Sequence, residues 1–285
     1  IVLFFIAVGA FFIKGENYTA YGGFAPNGFK GIASAAAIIF FAYIGFDAVS
    51  TAAEETKDPA KDMPFGIIMS LIVTTVLYIL VALVMTGMTE WRKLDTAEPM
   101  LTALAQSGGS AGILSIGQFI IAFGAVFALA SVLLVFQLGQ PRIFFSMARD
   151  GLLPPFAAKV HPKYQTPHIT TILTGIFVAV FAAFANIDEV VQLTNIGTLF
   201  AFAIVAAGVL ILHYKEPNRP RPFRTPWMPW TPIITILACL FLMYQLPLVT
   251  WLRFIGWLLI GLVIYIGYGY RHSRMRAGGT PTGGA

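Results

Sequence analysis

The residues best placed to bind a ligand lie in the apolar stretch 38–55, where Gly45 and Asp47 interrupt an otherwise helical run. An aspartate at membrane depth costs ~2.5–3.5 kcal/mol, so it is a candidate functional residue. A helix break around 43–46 would explain both residues, because Asp47 could then act as N-cap of a second half-helix that starts at Ala48. The break would leave backbone groups without helical partners, which a membrane protein tolerates where they line a cavity or bind something.

A broken helix of this kind suits a ligand that carries both charges. Unwound carbonyls attract a cation, and the N-terminus of a half-helix attracts an anion, so an α-amino acid fits such a site without a charged side chain. The alternative is that Gly45 allows close helix packing while Asp47 bonds to a neighbouring helix. The residues of this stretch leave both interpretations open.

A dense cluster of mixed charges follows the proposed half-helix at 54–62. Glu54 and Glu55 at its start could form a cytoplasmic gate whose ion pairs break and reform between two states. The simpler interpretation is a solvated loop, which such a charge pattern favours.

Enzyme chemistry finds little support in the residues. The four histidines have no spacing that resembles a metal site, so neither a metal nor a cofactor is expected. No Ser or Cys nucleophile stands near a plausible base, and Cys239 cannot form a disulfide within the chain because it is the single cysteine. The chain is therefore predicted not to be an enzyme.

The composition indicates an integral membrane protein. Charged residues make up 11% of the chain, less than half the ~25% typical of soluble domains. The net charge of +5 does not indicate nucleic-acid binding, because the Lys and Arg residues flank apolar segments instead of forming a patch.

Eight apolar segments can be assigned, which predicts one transmembrane domain over 1–285 with a tail at 271–285. The runs are long and lack period-two alternation, so helices are predicted in place of barrel strands. The first segment is short for a ~30 Å hydrocarbon core and carries no initiating Met, so we expect a fragment that begins inside a helix. The segments are 1–13, 32–53, 65–88, 111–140, 168–186, 190–212, 230–249 and 252–270.

The orientation follows from the basic residues of the connections. Thirteen of the 18 Lys and Arg residues fall in one alternate set of connections. The positive-inside rule places that set, namely 54–64, 142–167, 213–229 and the C-terminal tail, in the cytoplasm.

Four motifs carry a family resemblance, and together with the spacing of the segments they cover nearly the whole chain. They are FFAYIGFDAVSTAAEETKDPAKDMPFGI at 40–67, QPRIFFSMARDGLLP at 140–154, LTNIGTLFAF at 193–202 and RPFRTPWMP at 221–229. The chain resembles amino acid permeases of the amino acid–polyamine–organocation superfamily, in particular the cationic amino acid transporter-like branch. The resemblance implies an all-α integral membrane fold, a transmembrane helix bundle of twelve helices with a five-plus-five inverted repeat and a discontinuous sixth helix. This chain would hold roughly the fifth to the twelfth helix.

The resemblance also implies roles for individual residues. Carbonyls around Phe41, Ala42 and Ile44 would bind the amino group of the substrate, and Phe46 would close over it as a gate. Phe136, on the eighth helix, would lie near the side-chain pocket and favour smaller substrates.

The function expected from the resemblance is secondary active transport of amino acids across the plasma membrane by alternating access, with H⁺ as the co-transported ion. Proton-coupled relatives carry a Lys on the fifth helix, and none occurs within 1–13. The alternatives are an amino acid or amine exchanger and a non-transporting membrane subunit.

Overall fold

The computed structural model consists of helices and their connections over the residues that it describes. It describes residues 1–273 apart from 21, 24, 109, 110, 219 and 222, and it leaves out the side chains of 51–55, 111, 113 and 114. The α-helices are α1 (Val2–Gly9), α2 (Asn17–Ala20), α3 (Gly28–Ile39), α4 (Pro59–Met88), α5 (Pro99–Gln106), α6 (Ala111–Arg149), α7 (His168–Phe184), α8 (Ile187–Lys215), α9 (Trp230–Tyr244), α10 (Leu248–Ile264) and α11 (Tyr270–His272). Short 3-10 turns occupy Ala10–Phe12, Phe40–Tyr43, Phe46–Glu55, Trp91–Leu94 and Pro155–Ala158, and a π-turn covers Tyr265–Gly269.

Long apolar helices confirm the membrane class. Within the described residues, five helical stretches, some of which join consecutive elements, are long and apolar enough to cross a bilayer: Gly28–Ser50, Pro59–Met88, Ser115–Arg149, Ile187–Lys215 and Leu248–His272. Three shorter apolar helices, Val2–Phe12, His168–Phe184 and Trp230–Tyr244, coincide with the remaining predicted segments. Isoleucines and valines along α4, such as Ile72 and Val76, are about half exposed, which suits a surface facing lipid. The chain is an all-α, multi-pass membrane protein.

Several helix bounds differ from the predicted ones, and two of the differences occur next to a proline. Helix α6 continues through Pro141 to Arg149, nine residues beyond the predicted end at 140. Proline cannot donate a backbone hydrogen bond, but a transmembrane helix tolerates it where neighbouring groups satisfy the freed carbonyl. Helices α9 and α10 are separated at 245–247, where Pro247 precedes the first residue of α10.

The chain forms two compact units, of which the first comprises Ile1–Ile32 and Ile67–Leu134. Its core joins α1, α4 and α5 through buried side chains that include Phe5, Met88 and Leu104. The loop after α1 is tied to the end of α4, because Asn17 Nδ2 and the Lys14 amide both donate to the Gly87 carbonyl.

The second unit comprises Ala33–Gly66 and Val135–Ala285. Its core includes Ile196, Leu199 and Met243, which pack α8 against α9. Helix α8 begins where the Asn186 side chain accepts the Asp188 amide, and basic residues occupy its last turn, so both ends suit the helix dipole.

Polar pairs tie α10 to the first turns of α8 in the second unit. Thr250 donates to Gln192 at 2.7 Å, and Arg253 forms an ion pair with Glu189 at 2.8 Å. The two residues on each helix are three positions apart, which is about one turn, so the two pairs fix the register of α8 against α10.

Candidate functional site

The main feature of the second unit is a break in the helical backbone shortly after the end of α3. Helix α3 ends at Ile39 and tightens into the 3-10 turn Phe40–Tyr43. Ile44 is then extended, with ψ 131°, and Gly45 adopts φ +120°, a conformation that L-residues with side chains rarely adopt. Helical geometry resumes at Phe46. The chain therefore leaves the helix inside the predicted interval 43–46.

Three hydrogen bonds define the two edges of the break. The Ile44 amide donates to the Phe41 carbonyl at 3.1 Å, and the Ala48 amide donates to the Gly45 carbonyl at 3.0 Å. The Gly45 amide donates to Asp47 Oδ1 at 3.2 Å. This last contact links Gly45, whose φ is positive, to the first turn of the second half-helix.

Asp47 does not occupy the predicted N-cap geometry. The half-helix starts at Phe46 and not at Ala48, so Asp47 lies inside its first turn. Its carboxylate accepts an amide that precedes it in the chain, whereas an N-cap accepts one that follows it. The Asp47 side chain therefore stabilises the break itself, because it accepts the amide of Gly45.

The residues expected to offer carbonyls lie on the N-terminal side of the break. Phe41 and Ala42 are exposed and Ile44 is half-buried. The Phe41 carbonyl already accepts the Ile44 amide, but a carbonyl oxygen has a second lone pair that can accept a further donor. The backbone here can still attract an ammonium group.

Several phenylalanine rings lie close to the break. The Phe46 ring lies 5.4 Å from that of Phe202 on α8, which also makes an edge contact with Phe40 at 6.2 Å. The Phe136 ring of α6 also reaches the break, since a Cβ on Gly45 would lie 3.6 Å from Phe136 Cζ. The structure thus places Phe136 next to Gly45, the residue that precedes Phe46.

Neighbouring contacts hold Phe136 in place. Gln137, the next residue, donates to the Thr171 carbonyl of α7 at 2.7 Å. Its Nε2 would lie 3.4 Å from a Cβ on Gly175, so the glycine permits this close approach of the two helices.

Sequence reasoning missed Phe202 and Asn195. The Asn195 side chain is fully buried, and its Nδ2 donates to the carbonyls of Ala37 at 2.9 Å and Ile38 at 3.1 Å. These bonds secure the last turn of α3 before the break. The motif LTNIGTLFAF contains both residues, and an asparagine in an apolar segment is a signal that could have singled out the first.

The side chains of Glu54 and Glu55 lie outside the described part of the structure, so their role as a gate stays a prediction. Among the side chains that the structure describes, no group of three or more His, Cys, Asp or Glu is placed to hold a metal ion.

Comparison with known proteins identifies the family. The model of the amino acid permease family matches residues 1–268, which is nearly the whole chain. The chain belongs to the amino acid permease family.

Relatives of this permease chain carry several names. It is 46% identical over 278 residues to the branched-chain amino acid permease BcaP of Bacillus subtilis, covering 96% of this chain and 58% of the relative. It is 45% identical over 275 residues to the methylthioribose transporter of the same species, with the same two coverages. The vacuolar cationic amino acid transporter 4 of Arabidopsis thaliana is 37% identical over 220 residues, covering 76% of this chain and 36% of the relative.

The predicted superfamily is therefore confirmed. The family and these relatives are permeases and transporters and not enzymes, as predicted. The chain spans 58% of the length of the two bacterial relatives.

Proposed function

We propose that the complete protein to which this chain contributes transports amino acids across the plasma membrane by alternating access, and that it binds the substrate at the Ile44–Gly45 break. The observation that carries the proposal is the interruption of a membrane helix at Gly45, close to the side chains of Phe46 and Phe136. Irregular backbone at membrane depth is tolerated where it lines a cavity, and broken helices form the substrate sites of many secondary transporters.

Carbonyls on the N-terminal side of the break would hold the substrate ammonium group. Its desolvated charge interacts more strongly with carbonyl dipoles in a low-dielectric cavity than it would in water. Phe46 would cover the bound substrate, because its ring flanks the break and rests on Phe202.

We infer the size and polarity of the substrate side chain from the phenylalanines near the break. Phe46, Phe136 and Phe202 offer apolar surface near the break, which suits a small or branched aliphatic side chain. One relative is named a branched-chain amino acid permease. Phe136→Ala should enlarge the site and shift relative uptake toward bulkier side chains by about tenfold, within the usual range for such pockets. Leu138→Ala, two positions further along α6 at a side chain that is 59% exposed, is the control for a general disturbance of the helix.

We propose H⁺ as the coupled ion and a cytoplasmic C-terminus. The orientation is supported by the excess of basic residues in one set of connections. The coupling is supported by the family resemblance and is tested by imposing a proton gradient on reconstituted protein.

The experiment that tests substrate binding is thermal unfolding of the complete protein in detergent with a panel of amino acids. A ligand that binds only the folded state raises the melting temperature. Stabilisation by small aliphatic amino acids, reduced in Phe46→Ala, would support the proposal. A folded protein that no amino acid or related amine stabilises would favour a non-transporting membrane subunit.

A further inference from the structure

An open cavity lies in the second unit at the C-terminal end of α6. Its volume is about 490 Å³. Arg142 and Arg149 line it, together with polar side chains from three separate parts of the chain, namely Ser50, Ser146 and Thr166. No role in substrate transport follows for these residues from the break at Gly45.

Two arginines, Arg142 and Arg149, are the charged residues among the described side chains that line the cavity. The two arginines are seven residues apart on one helix, so they lie on the same face two turns apart. Both are half-buried, and the Arg149 guanidinium lies 6.0 Å from the Phe145 ring. Among the described residues that line the cavity there is no carboxylate. Both arginines also interact with other groups of the protein, but each guanidinium has five donors to share.

One wall of the cavity is held in shape by the loop before α7. The amides of His161 and His168 both donate to the Thr166 carbonyl, and the Gln165 amide donates to the His161 carbonyl. The His161 ring accepts two further amides, from Lys163 and Tyr164. This network fixes Gln165 and Thr166 at the cavity without any ligand, so little ordering entropy opposes binding there.

The rim of the cavity is apolar. Ile143 and Val160 line it while 45% and 43% of their surfaces remain exposed. A site that combines paired arginines and hydroxyls with exposed aliphatic side chains suits a ligand with an anionic head and an apolar tail.

We propose that this cavity binds a phosphate-bearing anion. Guanidinium groups match phosphate oxygens with two parallel hydrogen bonds, and hydroxyls such as those of Ser146 and Thr166 can complete such a site. The Ser50 hydroxyl already donates to the Asp47 carbonyl at 2.6 Å, so it is not counted among the donors. The apolar rim favours the headgroup of an anionic phospholipid as the source of the phosphate. The proposed orientation places this end of α6 at the cytoplasmic leaflet, where anionic lipids attract basic residues. The site does not depend on the transport of amino acids.

The test uses the complete protein, stripped of lipid in detergent, with three separate additions: phosphatidylglycerol, phosphatidylcholine and inorganic phosphate. We expect phosphatidylglycerol to raise the melting temperature and to remain bound in native mass spectrometry, whereas phosphatidylcholine does neither. Arg142→Gln and Arg149→Gln should each weaken the apparent affinity about tenfold or more, the usual loss for a charge-assisted hydrogen bond. Arg224→Gln, which removes an exposed arginine outside the cavity, should leave it unchanged.

The variants Arg142→Lys and Arg149→Lys keep the charge, so they remain informative if the glutamine variants do not fold. Intermediate affinity in the lysine variants would support recognition by paired donors. Stabilisation by inorganic phosphate equal to that by phosphatidylglycerol, and lost in the arginine variants, would support the site with a free anion as its ligand.

Equal effects of the two lipids, with no effect of phosphate, would overturn the proposal. So would selective binding that appears only in the double variant Glu54→Gln, Glu55→Gln, because internal carboxylates would then satisfy the arginines in the native protein.

Discussion

The side-chain amide of Asn195 donates a hydrogen bond to the backbone carbonyl of Ala37, which lies 158 residues earlier in the chain. Seven residues after Asn195, on the same face of α8, Phe202 contacts both Phe40 and Phe46. One face of α8 therefore secures the end of α3 and also supports the aromatic ring beyond the break. The position of the break depends on this helix.

The bond between Asn195 and α3 should contribute to both stability and substrate binding. Asn195→Ala removes the donor from the buried carbonyl of Ala37 and the partly buried carbonyl of Ile38, which should lower the free energy of unfolding by ~1–3 kcal/mol. Because the last turn of α3 is then less fixed, substrate affinity should also fall. Thermal unfolding and substrate titration in detergent measure the two effects.

Asn17 provides the matched control for Asn195. Its side chain likewise donates to a helix carbonyl, that of Gly87, but it lies in the first unit. Asn17→Ala should lower the melting temperature without changing substrate affinity. Wild-type affinity in Asn195→Ala would show that the bond to α3 has no part in the site.

Replacing Gly45 by any residue with a side chain should lower the stability of the protein, because its φ is positive. At φ +120° an alanine is strained by ~1–3 kcal/mol. The strain comes from the backbone, because the nearest ring atom would be at an ordinary contact distance of 3.6 Å. Gly45→Ala should lower the melting temperature and uptake together.

Gly66→Ala serves as the comparison for Gly45→Ala, since Gly66 has a helical backbone and the nearest atom to a Cβ there is 3.9 Å away. That change should be neutral or slightly stabilising. Equal effects of the two substitutions would contradict the role assigned to the Gly45 conformation.

Asp47 should stabilise the break through its contact with the Gly45 amide. Asp47→Ala removes the acceptor and should cost ~1 kcal/mol. Asp47→Asn keeps an oxygen at the same position, so its melting temperature should stay closer to that of the wild type. If both variants lose the same stability, the charge of Asp47 matters more than this hydrogen bond.

Phe46 should act as a cover over the substrate. Phe46→Ala loses the contact with Phe202 and should raise the apparent KM roughly tenfold, which corresponds to ~1.4 kcal/mol. Phe46→Leu keeps most of the apolar volume and should have a smaller effect. Uptake and exchange rates in proteoliposomes measure the change.

An exposed phenylalanine away from the break controls for the loss of an aromatic ring in general. Phe177 on α7 is 58% exposed and stacks only with Phe181 among the ring contacts of the described residues. Phe177→Ala should leave KM unchanged. A wild-type KM in Phe46→Ala would show that Phe46 does not act as a gate.

The sequence was sufficient to predict the features that rest on local chemistry. The class of fold follows from long apolar runs with few charges. The interval of the break follows from Gly45 and Asp47, because a glycine and an aspartate in an apolar helix both indicate altered backbone geometry.

Features that depend on tertiary contacts could not be predicted from the sequence. Asn195 has several possible partners in any membrane helix, and only the packing of α8 selects Ala37 and Ile38. Phe202 looks like any other apolar residue of its segment. The start of the half-helix at Phe46 depends on where the Gly45 amide finds its acceptor, a detail finer than sequence patterns provide.

The most direct test of the central claim is uptake of radiolabelled amino acids into proteoliposomes that contain the complete protein, with and without an inward proton gradient. We expect saturable uptake of small or branched aliphatic amino acids that increases with the gradient and is impaired in Gly45→Ala. Absence of uptake and of counterflow for every amino acid, from protein shown to be folded, would contradict the proposed function.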